Sequence, residues 1–230
     1  MPKVVRCLPI ALLAGMVSLL GSLVATDTAA ETVRSASITA QALPSASSPM
    51  VDFQQGEQGA KAFIDRIGQQ VLEIAQDSGK PDSEKMAELE SLFVSTVDVP
   101  WIARFVIGPY WRQANVQQQQ DYLKYYQQFI VKHYVGRFTE YAGQTYRLDL
   151  VSSQGEGKYL VRMIIDSPNE PSVVTDYRIR QDESGAYKIY DIVVEGVSMI
   201  VTQKQEFSSV VARKGLDFLI QALAKKSRSA

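Results

Sequence analysis

The chain of 230 residues contains one cysteine, one histidine and two tryptophans, and each shortage closes off a class of chemistry. Cys7 precedes the N-terminal apolar run, so a chain cut after that run has no thiol. No disulfide framework can then staple the fold, and stability must come from a packed core. With His133 alone and no cysteine, a zinc site would be built mostly of carboxylates, an uncommon ligand set. The net charge of -1 and the lack of any basic block leave no cationic surplus for a phosphate backbone, so nucleic acid is not an expected partner. A Gly-rich phosphate loop is also missing: Gly155-Glu156-Gly157 reads as a hairpin turn, not a strand-to-helix fingerprint. No cofactor is implied.

What the chain does have begins with an address. Lys3 and Arg6 precede an apolar run from Leu8 to Val24, and Thr28-Ala29-Ala30 offers a small-residue cleavage site. Residues 1–30 therefore read as a cleavable signal peptide, with an uncleaved anchor as the alternative. Residues 31–58 show no period and read as a flexible lead-in. Residues 59–226 form one domain, with 227–230 as a tail.

Phe63, Ile64, Ile67, Val71, Leu72 and Ile74 recur at helical spacing up to Gly79-Lys80-Pro81. A second helix is expected behind Ser83 as N-cap, with Met86, Leu89, Leu92 and Phe93 on one face. Asp98 and Pro100 open a short helix that stops at Gly108. Asn115 and Gln118 resemble a capping box before the longest helix, whose inward face is Tyr122, Tyr126, Phe129, Ile130, His133, Tyr134, Phe138 and Tyr141. After Gly143 the period changes to two. Four alternating runs, the last from Tyr187 through Gly196 into a helix at Ser198, predict an antiparallel meander. The expected architecture is α+β: a four-stranded antiparallel meander with helices packed on one face.

Catalytic readings fare poorly. Asp191 and Glu195, four residues apart on a strand, would lie roughly 13 Å from one another, wider than the ~5–9.5 Å of a glycosidase carboxylate pair. Ser198 follows Gly196-Val197 but lacks the second glycine of a nucleophile elbow. His133 sits at helical spacing from Phe129 and Ile130, as a structural histidine does. Two other readings stay open: an adaptor whose apolar strip docks a partner, and a hydrolase built on Ser198 and His133.

The segment Asp98–Trp111 (DVPWIARFVIGPYW), the glutamine-rich helix start, Thr175-Asp176-Tyr177-Arg178-Ile179 and above all Tyr190-Asp191-Ile192-Val193-Val194-Glu195-Gly196-Val197-Ser198 resemble the periplasmic phospholipid-binding family called MlaC, or Ttg2D (toluene tolerance). The resemblance covers roughly residues 60 to 223. It implies a curved antiparallel four-stranded meander packed against helices and enclosing an apolar pocket, and no enzyme but a periplasmic carrier that shuttles phospholipid, or a related lipid such as a hopanoid, between outer and inner membranes. The implied partners are an inner-membrane ABC transporter complex and an outer-membrane lipoprotein complex. The sequence departs from the commoner pattern at Val99-Pro100-Trp101, on the expected pocket, and at Gln203-Lys204-Gln205, where partner docking is at stake. On this reading the lipid wall comprises Trp101, Phe105, Trp111, Phe129, Tyr134, Val161, Met163, Tyr177, Ile179, Val193, Val197 and Met199. Arg104 and Arg112 are the head-group candidates.

Overall fold

The computed structural model describes residues 50–138, 143–168 and 170–228. The expected signal peptide, most of the lead-in, and Tyr141 lie outside them. Two helices, α1 (Met50–Gln76) and α2 (Asp82–Thr96), are followed by α3 (Val99–Ile107), the single turn α4 (Pro109–Gln113) and α5 (Val116–Phe138). Next comes the sheet, β1 (Thr145–Ser153), β2 (Lys158–Ser167), β3 (Glu170–Gln181), β4 (Tyr187–Val194) and the two-residue β5 (Val197–Ser198). Helices α6 (Met199–Lys214) and α7 (Leu216–Arg228) close the chain. Helix α1 thus starts at Met50, inside the segment read as a lead-in.

Local chemistry fixes most of the boundaries. The Asp98 carboxylate accepts from the Trp101 amide at 3.1 Å, and Gly108, at φ 53°, ends α3. At the start of α5 the capping box is complete: Gln118 N–H donates to Asn115 Oδ1 (2.9 Å) and Asn115 N–H donates to Gln118 Oε1 (3.1 Å). Helix α2 differs from expectation. It begins one residue before Ser83, behind Pro81, with no side-chain cap, because the ring of Pro81 already fixes the φ that leads into the first turn.

The sheet order is β1-β2-β3-β4-β5 with every pair antiparallel. The last strand corrects the sequence reading. The chain does not run straight from Tyr187 through Gly196 into a helix; Glu195 (φ 48°) and Gly196 (φ 81°) both adopt the left-handed conformation. Two such residues in succession make a hairpin turn, so Val197 and Ser198 fold back to pair with Val194 and Val193. A bulge at Tyr190 in β4 also breaks strict alternation.

Helices pack on one face of this sheet. Glycines let α1 come close: a Cβ on Gly59 would lie 2.5 Å from the Tyr187 hydroxyl, and one on Gly68 would lie 2.6 Å from the Tyr146 ring. The tyrosines then reach α1 as hydrogen-bond donors, Tyr187 to the Gly56 carbonyl (3.0 Å) and Tyr146 to the Asp65 carbonyl and carboxylate (both 3.0 Å). These rings bury their bodies and satisfy their hydroxyls at one stroke. On α5, Tyr122, Tyr126 and Ile130 are buried as the periodicity predicts. Val131 and Val135 turn the other way, into a small second cluster with Leu89 of α2.

Candidate functional site

Between the sheet and the helices the core does not close. An apolar cavity of about 170 Å³ remains. One side is α1 and α2, contributing Ile64, Ile67, Gly68, Val71, Leu72, Leu89, Leu92, Phe93 and Thr96. The opposite side is the sheet, with Met163 and Ile165 of β2, Tyr177 of β3 and Ile189, Asp191 and Ile192 of β4. The bulge explains why three nearly consecutive residues of β4 all reach it. Val97 just before α3, Val99 and Ile102 of α3, Tyr126, Ile130 and Tyr134 of α5, Thr145 and Tyr146 of β1, and Met199, Ile200 and Gln203 of α6 complete the lining.

Several polar groups in this wall have hydrogen-bond partners. Tyr126 donates to the Gln203 side-chain oxygen, and both residues are buried. Burial raises the Tyr126 hydroxyl well above the usual phenol value and pushes that of Tyr177 up to about 12, so both stay neutral. Asp191 is the one carboxylate of the lining. It accepts from Ser198 Oγ (2.7 Å), from the Ile200 amide (3.2 Å) and from Arg178 (3.1 Å). Burial raises its carboxyl above the ordinary range even though these three donors favour the charged form. The Ser198 hydroxyl in turn accepts from Val201 N–H as N-cap of α6. Asp191 and Ser198 together tie the start of α6 to the sheet. Glu195 has a separate task, its carboxylate accepting from the Val174 amide at 2.6 Å beside the turn.

Of the wall residues expected from sequence, Tyr134, Met163, Tyr177 and Met199 line the cavity. The others are placed elsewhere. Val161 and Ile179 are fully buried in the closed core, and Val193 is buried without reaching the cavity. Phe129 lies against His133 and Phe207, while Trp101 and Phe105 stack on each other outside the cavity. Trp111 is half-buried, its carbonyl accepting from Gln119. Val197 is 49% exposed because the Glu195-Gly196 turn carries it to the surface. Arg104 and Arg112 are exposed on α3 and α4, away from the lining. The sequence reading missed the α1 and α2 faces, although their helical spacing was visible. Among the described residues no group of three or more histidine, cysteine or carboxylate side chains is placed to hold a metal ion.

A meander closed by helices over an apolar cavity defines an α+β pocket protein. The family model of the MlaC protein matches residues 65–225, and the chain belongs to that family. It is similar to the intermembrane phospholipid transport system binding protein MlaC of Haemophilus influenzae, 22% identical over 134 residues. That match covers 57% of this chain and 63% of the relative. A solved structure, the phospholipid-binding protein from Ralstonia solanacearum in complex with a phospholipid, has the same fold: TM-score 0.62 at 23% identity, covering 75% of this chain and 97% of that one.

Proposed function

We propose that the protein is a periplasmic lipid carrier that holds acyl chains in the cavity between α1, α2 and the sheet and moves phospholipid between the outer and inner membranes. The observation that carries this reading is the cavity itself: it is lined mostly by apolar side chains and lies between sheet and helices. An acyl chain of about sixteen carbons loses on the order of 12 kcal/mol on exposure to water, at about 0.8 kcal/mol per methylene. A carrier has to offset most of that cost and still release its cargo. Largely apolar walls, with the one lining carboxylate, Asp191, held by its own donors, meet both demands, because they offer area without a strong directional bond. Tyr134, Met163, Tyr177 and Met199, with the α1 and α2 faces, are the proposed chain contacts. The proposed exchange partners are an inner-membrane ABC transporter complex and an outer-membrane lipoprotein complex.

Vesicle exchange tests the proposal. Donor vesicles carrying a self-quenched fluorescent phospholipid are mixed with unlabelled acceptors, with and without the protein. Dequenching that scales with protein concentration is expected. Transfer at the spontaneous rate with lipid-free protein present in excess would remove the carrier reading.

A further inference from the structure

The segment Asp98–Trp111 carries two of the large aromatic side chains that the cavity does not use. Trp101 and Phe105, one helical turn apart on α3, stack at 5.2 Å with their planes 13° apart. The ring of Tyr190, the bulge residue of β4, makes a T-shaped contact with Trp101, their centres 5.5 Å apart. A cation covers each end: the Arg180 guanidinium lies 4.7 Å from the Trp101 ring centre, and Lys204 Nζ of α6 lies 4.5 Å from that of Phe105. None of these five side chains lines the cavity.

The row is held before any partner arrives. Arg180 is also bound to the Asp98 carboxylate, which caps α3, so the ring order is tied to the helix start. Val201, 43% exposed, stands one turn before Lys204 on the same side of α6. Arg104, exposed and three residues after Trp101, borders the row on α3. The charge here is one-sided. Asp98 and Asp191 are taken up by Arg180 and Arg178, and among the described residues no carboxylate forms an ion pair with Arg104 or Lys204.

We propose that this face of α3 and α6 is a docking surface for a partner protein that presents an acidic patch around an apolar centre. Tryptophan, tyrosine and arginine are the residues that carry most binding energy at protein interfaces. Fixed in a row, they lose little side-chain freedom on association. The unpaired Arg104 and Lys204 call for carboxylates opposite, and Val201 with the ring edges calls for an apolar contact between them. A bilayer fits less well, because two unpaired cations are a weak anchor and the ring faces are already covered by cations, not free to insert.

The test uses the full chain in its own cells. A photo-crosslinking benzoylphenylalanine is placed at Val201, with a second probe at exposed Lys61 of α1 as control, and the crosslinked peptides are sequenced by mass spectrometry. The proposal expects a protein adduct at position 201 whose linked peptide lies in an acidic surface of the partner. Arg104→Glu with Lys204→Glu should cut that yield at least tenfold, Arg104→Lys with Lys204→Arg should retain it, and neither should change the control. Should charge reversal disturb folding, judged by the thermal transition, Arg104→Ala with Lys204→Ala serves in its place and should give an intermediate loss. The proposal is overturned if position 201 yields no protein adduct, only a second copy of this chain, or an adduct indifferent to the charge changes. Flotation with phosphatidylglycerol vesicles that the same charge reversal abolishes would also overturn it, in favour of a membrane.

Discussion

Replacing Met163 by tryptophan asks whether the cavity holds cargo or is only an imperfection of packing. Met163 lies on β2 opposite Leu148 and Thr175 and faces the cavity. Tryptophan is larger by roughly 60 Å³, about the space of two packed methylene groups, against a cavity of about 170 Å³. Displacing two methylenes of cargo at about 0.8 kcal/mol each removes about 1.6 kcal/mol of binding, a roughly 15-fold loss of affinity. Displacement of a fluorescent fatty acid from delipidated protein measures it, with thermal unfolding alongside. The control is Val161→Trp. Val161 is two residues away on the same strand face but has no free space, so overpacking there should cost about 1–3 kcal/mol of stability. The reasoning is refuted if Met163→Trp destabilises the fold as Val161→Trp does while fatty-acid affinity stays unchanged.

Three further outcomes follow from the packing and charge. Gly68→Ala drives a methyl group into the Tyr146 ring, which Asp65 holds in place; it should cost about 1–3 kcal/mol in chemical denaturation, and a neutral result would mean that α1 does not sit this close to β1. Asp191→Asn should change the pH dependence of stability. Burial raises the native carboxyl, so the native state binds that proton more tightly than the unfolded chain. The stability it contributes is fully present below the ordinary aspartate value and is lost as pH rises through the raised one. The variant should lack that decline in denaturant titrations, and an unaltered profile would contradict the assigned environment. Asp98→Ala removes both the α3 cap and the partner of Arg180; capping alone contributes about 1 kcal/mol, and a variant as stable as the parent would show that the cap is idle.

Much of this architecture was legible because short-range chemistry dictates it. The capping box at Asn115 and Gln118 and the stop at Gly108 follow from hydrogen-bond geometry within a few residues, and the strands declare themselves by alternation. The cavity was less legible. Helical spacing tells that Trp101 and Phe105 share a face but not what that face meets, and Val161 and Met163 look alike in a pattern that separates only inside from outside. A closed core and a cavity wall use the same residue types, so which buried positions border empty space depends on how α1 and α2 approach the sheet. That approach is set by Gly59 and Gly68 against Tyr187 and Tyr146, a long-range pairing that no local period reveals. The stretch around Asp191 misled for a different reason. Parity along a strand assumes an unbroken strand, and the bulge at Tyr190 and the turn at Glu195-Gly196 both reset it.

The central claim is that the cavity carries lipid, and the most direct measurement is native mass spectrometry of the protein isolated from the cell envelope, followed by organic extraction. The account predicts a mass increment of one lipid per chain, an acyl lipid in the extract, and a diminished increment in Met163→Trp. A folded protein that repeatedly emerges at its bare polypeptide mass, with nothing stoichiometric in the extract, would contradict it.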